Sequence, residues 1–237
     1  MPDPCYPCNR HFVAAFEGVP RLVDSGPAER FQLTPAMVEQ HWNAATSGVL
    51  LASPSNPTGT SIEADALAAI VGLVRSRGGF TVVDEIYQGL TYDAAPFTAL
   101  ALGQDVVVIN SFSKYFNMTG WRLGWFVVPD SLVSVSNILA QNLFIAASTV
   151  AQHAALRAFD TDTREILEAR RLDFAARRIF LTRVLRELGF SVPVETQGAF
   201  YIYAGIEAFS TDSEHFCQVM LEDFGVAVTP GTDFGEF

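Results

Sequence analysis

Four short apolar runs set the terms for this chain: Val49–Leu51, Phe80–Val83, Val106–Ile109 and Trp125–Val128. Each is brief, rich in β-branched or aromatic residues, and followed by polar or turn-forming residues, the pattern of a buried strand. Between the first two, Ser61 to Arg77 reads as a helix. Leu67, Ile70, Val71 and Val74 form its apolar face, Thr60 and Glu63 have capping-box spacing at its start, and Gly78-Gly79 ends it. Strand, helix and strand in that order make a βαβ unit, whose strands run parallel under helical cover. The last two runs are joined by too little chain for a helical crossover, which leaves their relative direction open. The expected class is α/β, with a three-layer, mostly parallel sheet.

After Arg157 the pattern changes. Thr163 to Leu188 predicts a long, arginine-rich amphipathic helix, and Ser213 to Phe224 a second one. Phe190–Val194, Ala199–Tyr203 and Val226–Val228 read as strands. The expectation is a large domain over residues 1–158 and a smaller α+β domain over residues 159–237. The stop at Asp233-Phe-Gly-Glu-Phe237, with no terminal element, reads as a truncation. Ser131 to Leu156 has no formally charged residue, yet Asn137, Gln141, Asn142, Gln152 and His153 are too polar for hydrocarbon. One or two buried or interface helices are expected there, and no membrane.

Composition narrows the function. With 49% hydrophobic and 17% charged residues over 237 positions, the chain is globular and well buried. A net charge of −11 argues against nucleic acid as a partner, since phosphate backbones attract basic surfaces. The arginines from Arg164 to Arg186 alternate with Glu165, Glu168 and Asp173, and read as a solvated helix face. Three cysteines cannot form a fully paired disulfide framework, which fits a reduced, cytoplasmic setting. Cys5-Tyr-Pro-Cys8 has half of a zinc-site spacing and no second half, so no metal is assigned; Cys217 reads as packing.

Of fifteen basic residues only one is lysine, Lys114 in Asn110-Ser-Phe-Ser-Lys-Tyr115. Arginine can replace lysine as a surface cation but not as a neutral amine that attacks a carbonyl. Three polar clusters follow three of the strands: Ser53-Pro-Ser-Asn-Pro-Thr-Gly59, Asp84-Glu-Ile-Tyr87 and Ser111-Phe-Ser-Lys114. Ligands in open α/β sheets bind beyond the carboxyl ends of the strands, so the three can share one crevice. Taken singly, each has an ordinary reading as a turn, a cap or a loop hydroxyl.

Pyridoxal 5′-phosphate is the cofactor whose needs match this set. It requires an amine for a Schiff base, a carboxylate at the pyridine nitrogen, donors at the phenolic oxygen and a cationic site for the phosphate. Lys114, Asp84, Tyr87 with Asn56, and Ser111, Ser113 with Arg122 supply them in that order. A guanidinium can take two phosphate oxygens at once.

Ser-Asn-Pro-Thr-Gly at 55–59, Asp-Glu-Ile-Tyr at 84–87, and Ser-Phe-Ser-Lys at 111–114 with Met-Thr-Gly-Trp-Arg-Leu-Gly at 118–124 resemble the class I/II aminotransferases. These are fold-type I pyridoxal-phosphate enzymes. Gly198-Ala-Phe-Tyr201 and Val228-Thr-Pro-Gly-Thr-Asp-Phe-Gly235 extend the resemblance over almost the whole chain. It implies ping-pong transfer of an amino group from an amino acid to a 2-oxo acid, usually in a homodimer. Lys114 would hold the cofactor and shuttle the substrate proton, Asp84 would pair with the ring nitrogen, and Tyr87 and Asn56 would bond the phenolic oxygen. Ser111, Ser113 and Arg122 would hold the phosphate. The family's N-terminal phosphate turn, its ring-stacking aromatic and its C-terminal carboxylate-binding arginine are not matched. The chain is therefore expected to be an internal piece that binds cofactor weakly and transaminates poorly or not at all.

Other readings share some of these residues. A β-lyase or another fold-type I enzyme would keep Lys114 and Asp84. A Ser-x-x-Lys acyl enzyme fits Ser111 and Lys114 by spacing but needs a second lysine motif. A ligand-sensing domain of a transcription regulator would carry a DNA-binding extension.

Overall fold

The computed structural model describes residues 1–93 and 95–236; Ala94 and Phe237, the last residue of the expected truncated end, lie outside it. Strands β1 (Pro2–Asp3) and β2 (Val23–Asp24) form a small parallel pair, with helix α1 (Pro7–Ala15) between them. Helix α2 (Pro35–His41) follows; Thr34 Oγ1 accepts the Met37 N–H at 3.2 Å and caps it.

The main sheet contains β3 (Gly48–Ala52), β4 (Phe80–Asp84), β5 (Val106–Ser111) and β6 (Gly124–Val127), in that spatial order. β3, β4 and β5 are parallel, as the apolar runs predict, and β6 is antiparallel to β5. Helix α3 (Ala64–Ser76) crosses from β3 to β4 and presses Leu67, Ile70, Val71 and Val74 against Leu51, Val83, Val106 and Val108. Each such side chain contributes roughly 1.5–3 kcal/mol by leaving water. The helix starts later than the capping-box spacing suggests. Glu63 is its N-cap without a side-chain bond, because Thr60 Oγ1 is engaged with Thr58 and Gln32.

Exposure overturns one sequence expectation and narrows another. Trp125–Val128 reads as a buried strand, but β6 is the sheet edge, and Trp125, Phe126 and Val127 are 38–50% exposed. The uncharged stretch forms α4 (Asp130–Phe144) and α5 (Thr149–Arg157), and α4 has no buried residue. Of the two expectations for this stretch, buried or interface helices, the buried one does not hold for α4, since no described element covers its apolar face. Among the described residues no single helix is long and apolar enough to cross a membrane; α4 and α5 are bent by 117° at their junction.

Helix α6 (Thr161–Glu187) and helix α7 (Ser213–Phe224) form where expected. The three strands predicted after α6 do not. Residues 190–194 contribute only an isolated bridge, Ser191 to Gly205, and 199–203 and 226–228 have none; Gly198, just before the second segment, bridges Thr91. The reason lies in the aromatic side chains. Phe200 and Tyr201 stack around Tyr87, and Phe190 stacks on Phe209, so these segments pack ring by ring instead of laddering. Ala199, at φ 57°, also breaks the extended path. The arginines of α6 are not simply solvated. Arg171 donates to the Thr91 carbonyl at 3.0 Å, and Arg178 bonds the Thr196 carbonyl and pairs with Asp93 while stacking over Tyr92. They clamp the loop after β4.

Candidate active site

Three parallel strands end at one edge of the sheet, and the polar clusters follow from those ends. Ala52, Asp84 and Ile109 are aligned in register across β3, β4 and β5. The antiparallel β6 adds the remaining piece. Its first residue, Gly124, pairs with Ser111 at the end of β5, so Arg122 re-enters at the edge that Ser111 and Ser113 have just left. The 3-10 turn Thr119–Trp121 precedes it, Arg122 takes a left-handed backbone conformation at φ 53°, and its Nη1 donates to the Thr119 carbonyl at 3.0 Å.

Lys114 Nζ lies 5.4 Å from the centre of the Tyr87 ring and 5.5 Å from that of Phe200. Burial pushes its amine below the usual lysine range; the Arg122 charge pushes the same way, and Asp84 opposes both. Burial raises the Asp84 carboxyl, while the Ile86 N–H, donating to Oδ1 at 3.0 Å, and the Lys114 charge pull it back. The two groups are thus drawn toward each other's range, the condition that suits an amine for nucleophilic work. Tyr87 is 3% exposed, and its hydroxyl lies 2.6 Å from that of Tyr201. Burial is the main cause that holds Tyr87 protonated.

Ser111 Oγ sits 2.8 Å from Ser113 Oγ and 3.0 Å from the Leu123 carbonyl, and accepts the Ser113 N–H at 3.0 Å. Arg122 is in no ion pair among the described residues. A groove of about 800 Å³ opens beside it, lined also by Gly120, Trp121 and the α4–α5 bend; Lys114 is not in its walls. Asn56 follows β3 at the same edge, and its buried Oδ1 has no partner, as is true of the neighbouring Ser55 Oγ.

These features fit pyridoxal phosphate. A carboxylate held by one N–H, an asparagine with no side-chain partner, an unpaired guanidinium beside two serines and a depressed amine share one edge. Each answers a different part of that molecule.

Sequence reasoning missed three contributors. Tyr201 and Phe200 reach the site because Gln197 and Gly198 donate N–H bonds to the Gly59 carbonyl at 2.9 and 2.8 Å, and the Ala199 N–H bonds the Leu90 carbonyl at 2.8 Å. A β-carbon on Gly198 would lie 3.0 Å from the Leu90 carbonyl and collide with Pro54, so only glycine permits this approach. The signal was Gly198-Ala-Phe-Tyr201, noticed as a resemblance without a role. The third is Tyr6. Its phenol is pushed up chiefly by a hydrogen bond with the Cys8 thiol, and it lies within electrostatic reach of Tyr201 and Asp84. Tyr6 is thus an aromatic to which the sequence reading gave no role.

Comparison with known proteins agrees with this architecture. A sequence model of the family aminotransferase class I and II matches residues 1–236. A valine–pyruvate aminotransferase of Mycobacterium tuberculosis is 39% identical over 236 residues, which are 99% of this chain and 61% of that protein. An aspartate aminotransferase of Geobacillus stearothermophilus is 32% identical over 246 residues, covering 99% of this chain and 62% of that protein. Among solved structures, an aminotransferase from M. tuberculosis superposes with a TM-score of 0.94 at 39% identity, covering 99% of this chain and 61% of the other. Aspartate aminotransferase from Thermus thermophilus with maleate gives 0.93 at 29% identity, covering 98% and 61%. The chain belongs to the class I and II aminotransferase family, and its fold is that of the fold-type I members. It spans about 61% of the length of the relatives it matches.

Proposed function

We propose that this chain carries the pyridoxal-phosphate site of an amino-acid aminotransferase that moves an amino group from an amino acid to a 2-oxo acid. One observation carries the reading: the only ε-amine in the chain is half-buried beside two aromatic rings, within electrostatic reach of the Asp84 carboxylate. When bound, pyridoxal phosphate supplies an aldehyde for that amine and a protonated ring that draws electrons from a substrate Cα–H bond.

The chain's own residues do the rest. Asp84 is placed to keep a ring nitrogen protonated, since a buried carboxylate facing a cation site favours its charged partner. Tyr87 and Asn56 are placed to donate to a phenolic oxygen, and Tyr6 is the aromatic available to lie against the ring. Ser113 and Arg122, with Ser111 behind them, offer hydrogen bonds and a positive charge to a phosphate. Lys114 Nζ, with its proton affinity lowered, can accept a proton and return it.

The test is a visible absorbance spectrum of the chain with pyridoxal phosphate, then borohydride reduction and peptide mapping. A band with the label on Lys114, absent in Lys114→Ala and not rescued by Lys114→Arg, is the expected result. A label of equal yield in Lys114→Ala would sink the assignment. A labelled chain that forms a 2-oxo acid and a new amino acid is a transaminase; pyruvate with ammonia and a thiol would make it a β-lyase.

A further inference from the structure

Tyr87 and Tyr201 are 114 positions apart, yet their hydroxyls lie within 2.6 Å. The arrangement is built from both sides. Tyr201 is carried by the segment that Gly59 and Leu90 hold through backbone bonds, and the Tyr92 hydroxyl donates to the Ala199 carbonyl at 2.6 Å. Tyr92 and Leu90 belong to the same loop that presents Tyr87. The two rings meet edge to face, with centroids 5.6 Å apart at 74°. Phe200 also meets Tyr87 edge to face, at 5.5 Å and 83°, and lies 4.8 Å from the Tyr201 ring.

A phenol has one proton and can accept a second hydrogen bond. Among the described residues, the Tyr201 hydroxyl meets no acceptor other than the Tyr87 oxygen. If Tyr87 gave its proton to Tyr201, it would have none for the site, and the Tyr201 proton would lack an acceptor. If Tyr201 donates, the Tyr87 proton is left for an acceptor bound beside Lys114, and with that acceptor in place both protons are used.

We propose that Tyr201 is a positioning residue: it donates to the Tyr87 oxygen, fixes the rotation of that phenol, and leaves the Tyr87 proton for the phenolic oxygen of pyridoxal phosphate. This rests on the cofactor reading above. A donor aimed at a phenolic oxygen favours its ionised form, so loss of Tyr201 acts on the cofactor's titration through Tyr87.

The experiment is a double-mutant cycle of Tyr201→Phe and Tyr87→Phe in the full chain loaded with pyridoxal phosphate. Phenylalanine keeps both rings and removes one hydroxyl. In the wild-type background, Tyr201→Phe is expected to raise the pH midpoint of the visible band by about half a unit to one unit. It is expected to weaken cofactor binding by about threefold to tenfold. In the Tyr87→Phe background the same change is expected to do neither. Equal effects in the two backgrounds would overturn the role and leave the cofactor reading standing. A wild-type chain that takes up no cofactor would overturn the cofactor reading and the role together. The unloaded chain gives a separate readout: in a ¹³Cζ-tyrosine-labelled sample, Tyr201→Phe must shift the Tyr87 resonance. An unmoved resonance removes the hydrogen bond on which the role stands.

Discussion

The sheet side of the molecule and its helical side treat apolar residues in opposite ways. Between β3 and β5, Leu51, Ile70 and Val83 have no exposed surface, and α3 seals them. From α4 onward, Ile138, Leu139, Phe144, Ile179 and Phe180 are more than half exposed. The site follows that division. Asp84, Ser111 and Lys114 stand at the ends of the well-packed strands, where a side chain can be held in one place. The helical side contributes one aromatic segment, 197–201, fastened by glycine contacts and backbone bonds. Rigidity comes from one region, and the other lends a wall.

Four experiments would break or sharpen that contrast. The largest effect is expected from truncating the buried side. Leu51→Ala should cost about 2–5 kcal/mol in chemical denaturation, whereas Ile138→Ser on the open face of α4 should stay within about 0.5 kcal/mol. Comparable losses would mean that α4 is as well packed as the sheet. Next comes the joint between the two regions. Gly59 has φ +65°, and a β-carbon there would sit 2.7 Å from the Gly198 carbonyl oxygen. Gly59→Ala should therefore cost about 1–3 kcal/mol and open the 197–201 segment to proteolysis; unchanged cleavage would show that the segment is held elsewhere.

A smaller effect should appear in the titration of Lys114. A neutral amine reacts and an ammonium does not, so a group lowered from 10.5 is half labelled below that pH. Asp84 opposes the lowering and Arg122 adds to it. Asp84→Asn should thus move the midpoint further down and Arg122→Met should move it up, as followed on the Lys114 peptide. Shifts of the opposite sign would place the charges wrongly. The smallest effect concerns Tyr115, whose hydroxyl donates to Glu168 at 2.7 Å. Burial first, then this bond, pushes its phenol up to about 12. Glu168→Gln should bring the ionisation back toward 10 in ultraviolet titration, with little change in stability; no movement would detach α6 from the residue beside Lys114.

The readable parts of this molecule are those where local pattern and final environment agree. Val106–Ile109 is apolar because it is covered, and Leu67, Ile70, Val71 and Val74 recur at helical spacing because α3 lies on the sheet. The polar residues after β3, β4 and β5 were legible for a related reason: parallel strands must end together. What could not be read depends on distant partners. The direction of β6 was open because a short connection permits several returns. Ala199–Tyr203 has the composition of a strand, but its rings are claimed by Tyr87 and Phe174. Nothing near Asp160 announces that α6 will reach the loop after β4 with Arg171 and Arg178. Tyr6 is far in sequence from Tyr201 and Asp84, the site residues within its electrostatic reach.

The pairing of Ser111 with Gly124 turns the intervening loop into a ruler. In an antiparallel hairpin, a slip of one residue sends every side chain on that strand to the opposite face. Most substitutions between Tyr115 and Trp121 can be absorbed one at a time, but adding or removing a single residue would carry Arg122 away from Ser111 and Ser113. The spacing from Lys114 to Arg122 is therefore under a stricter constraint than the identity of most residues between them, and its length should resist change where its letters do not.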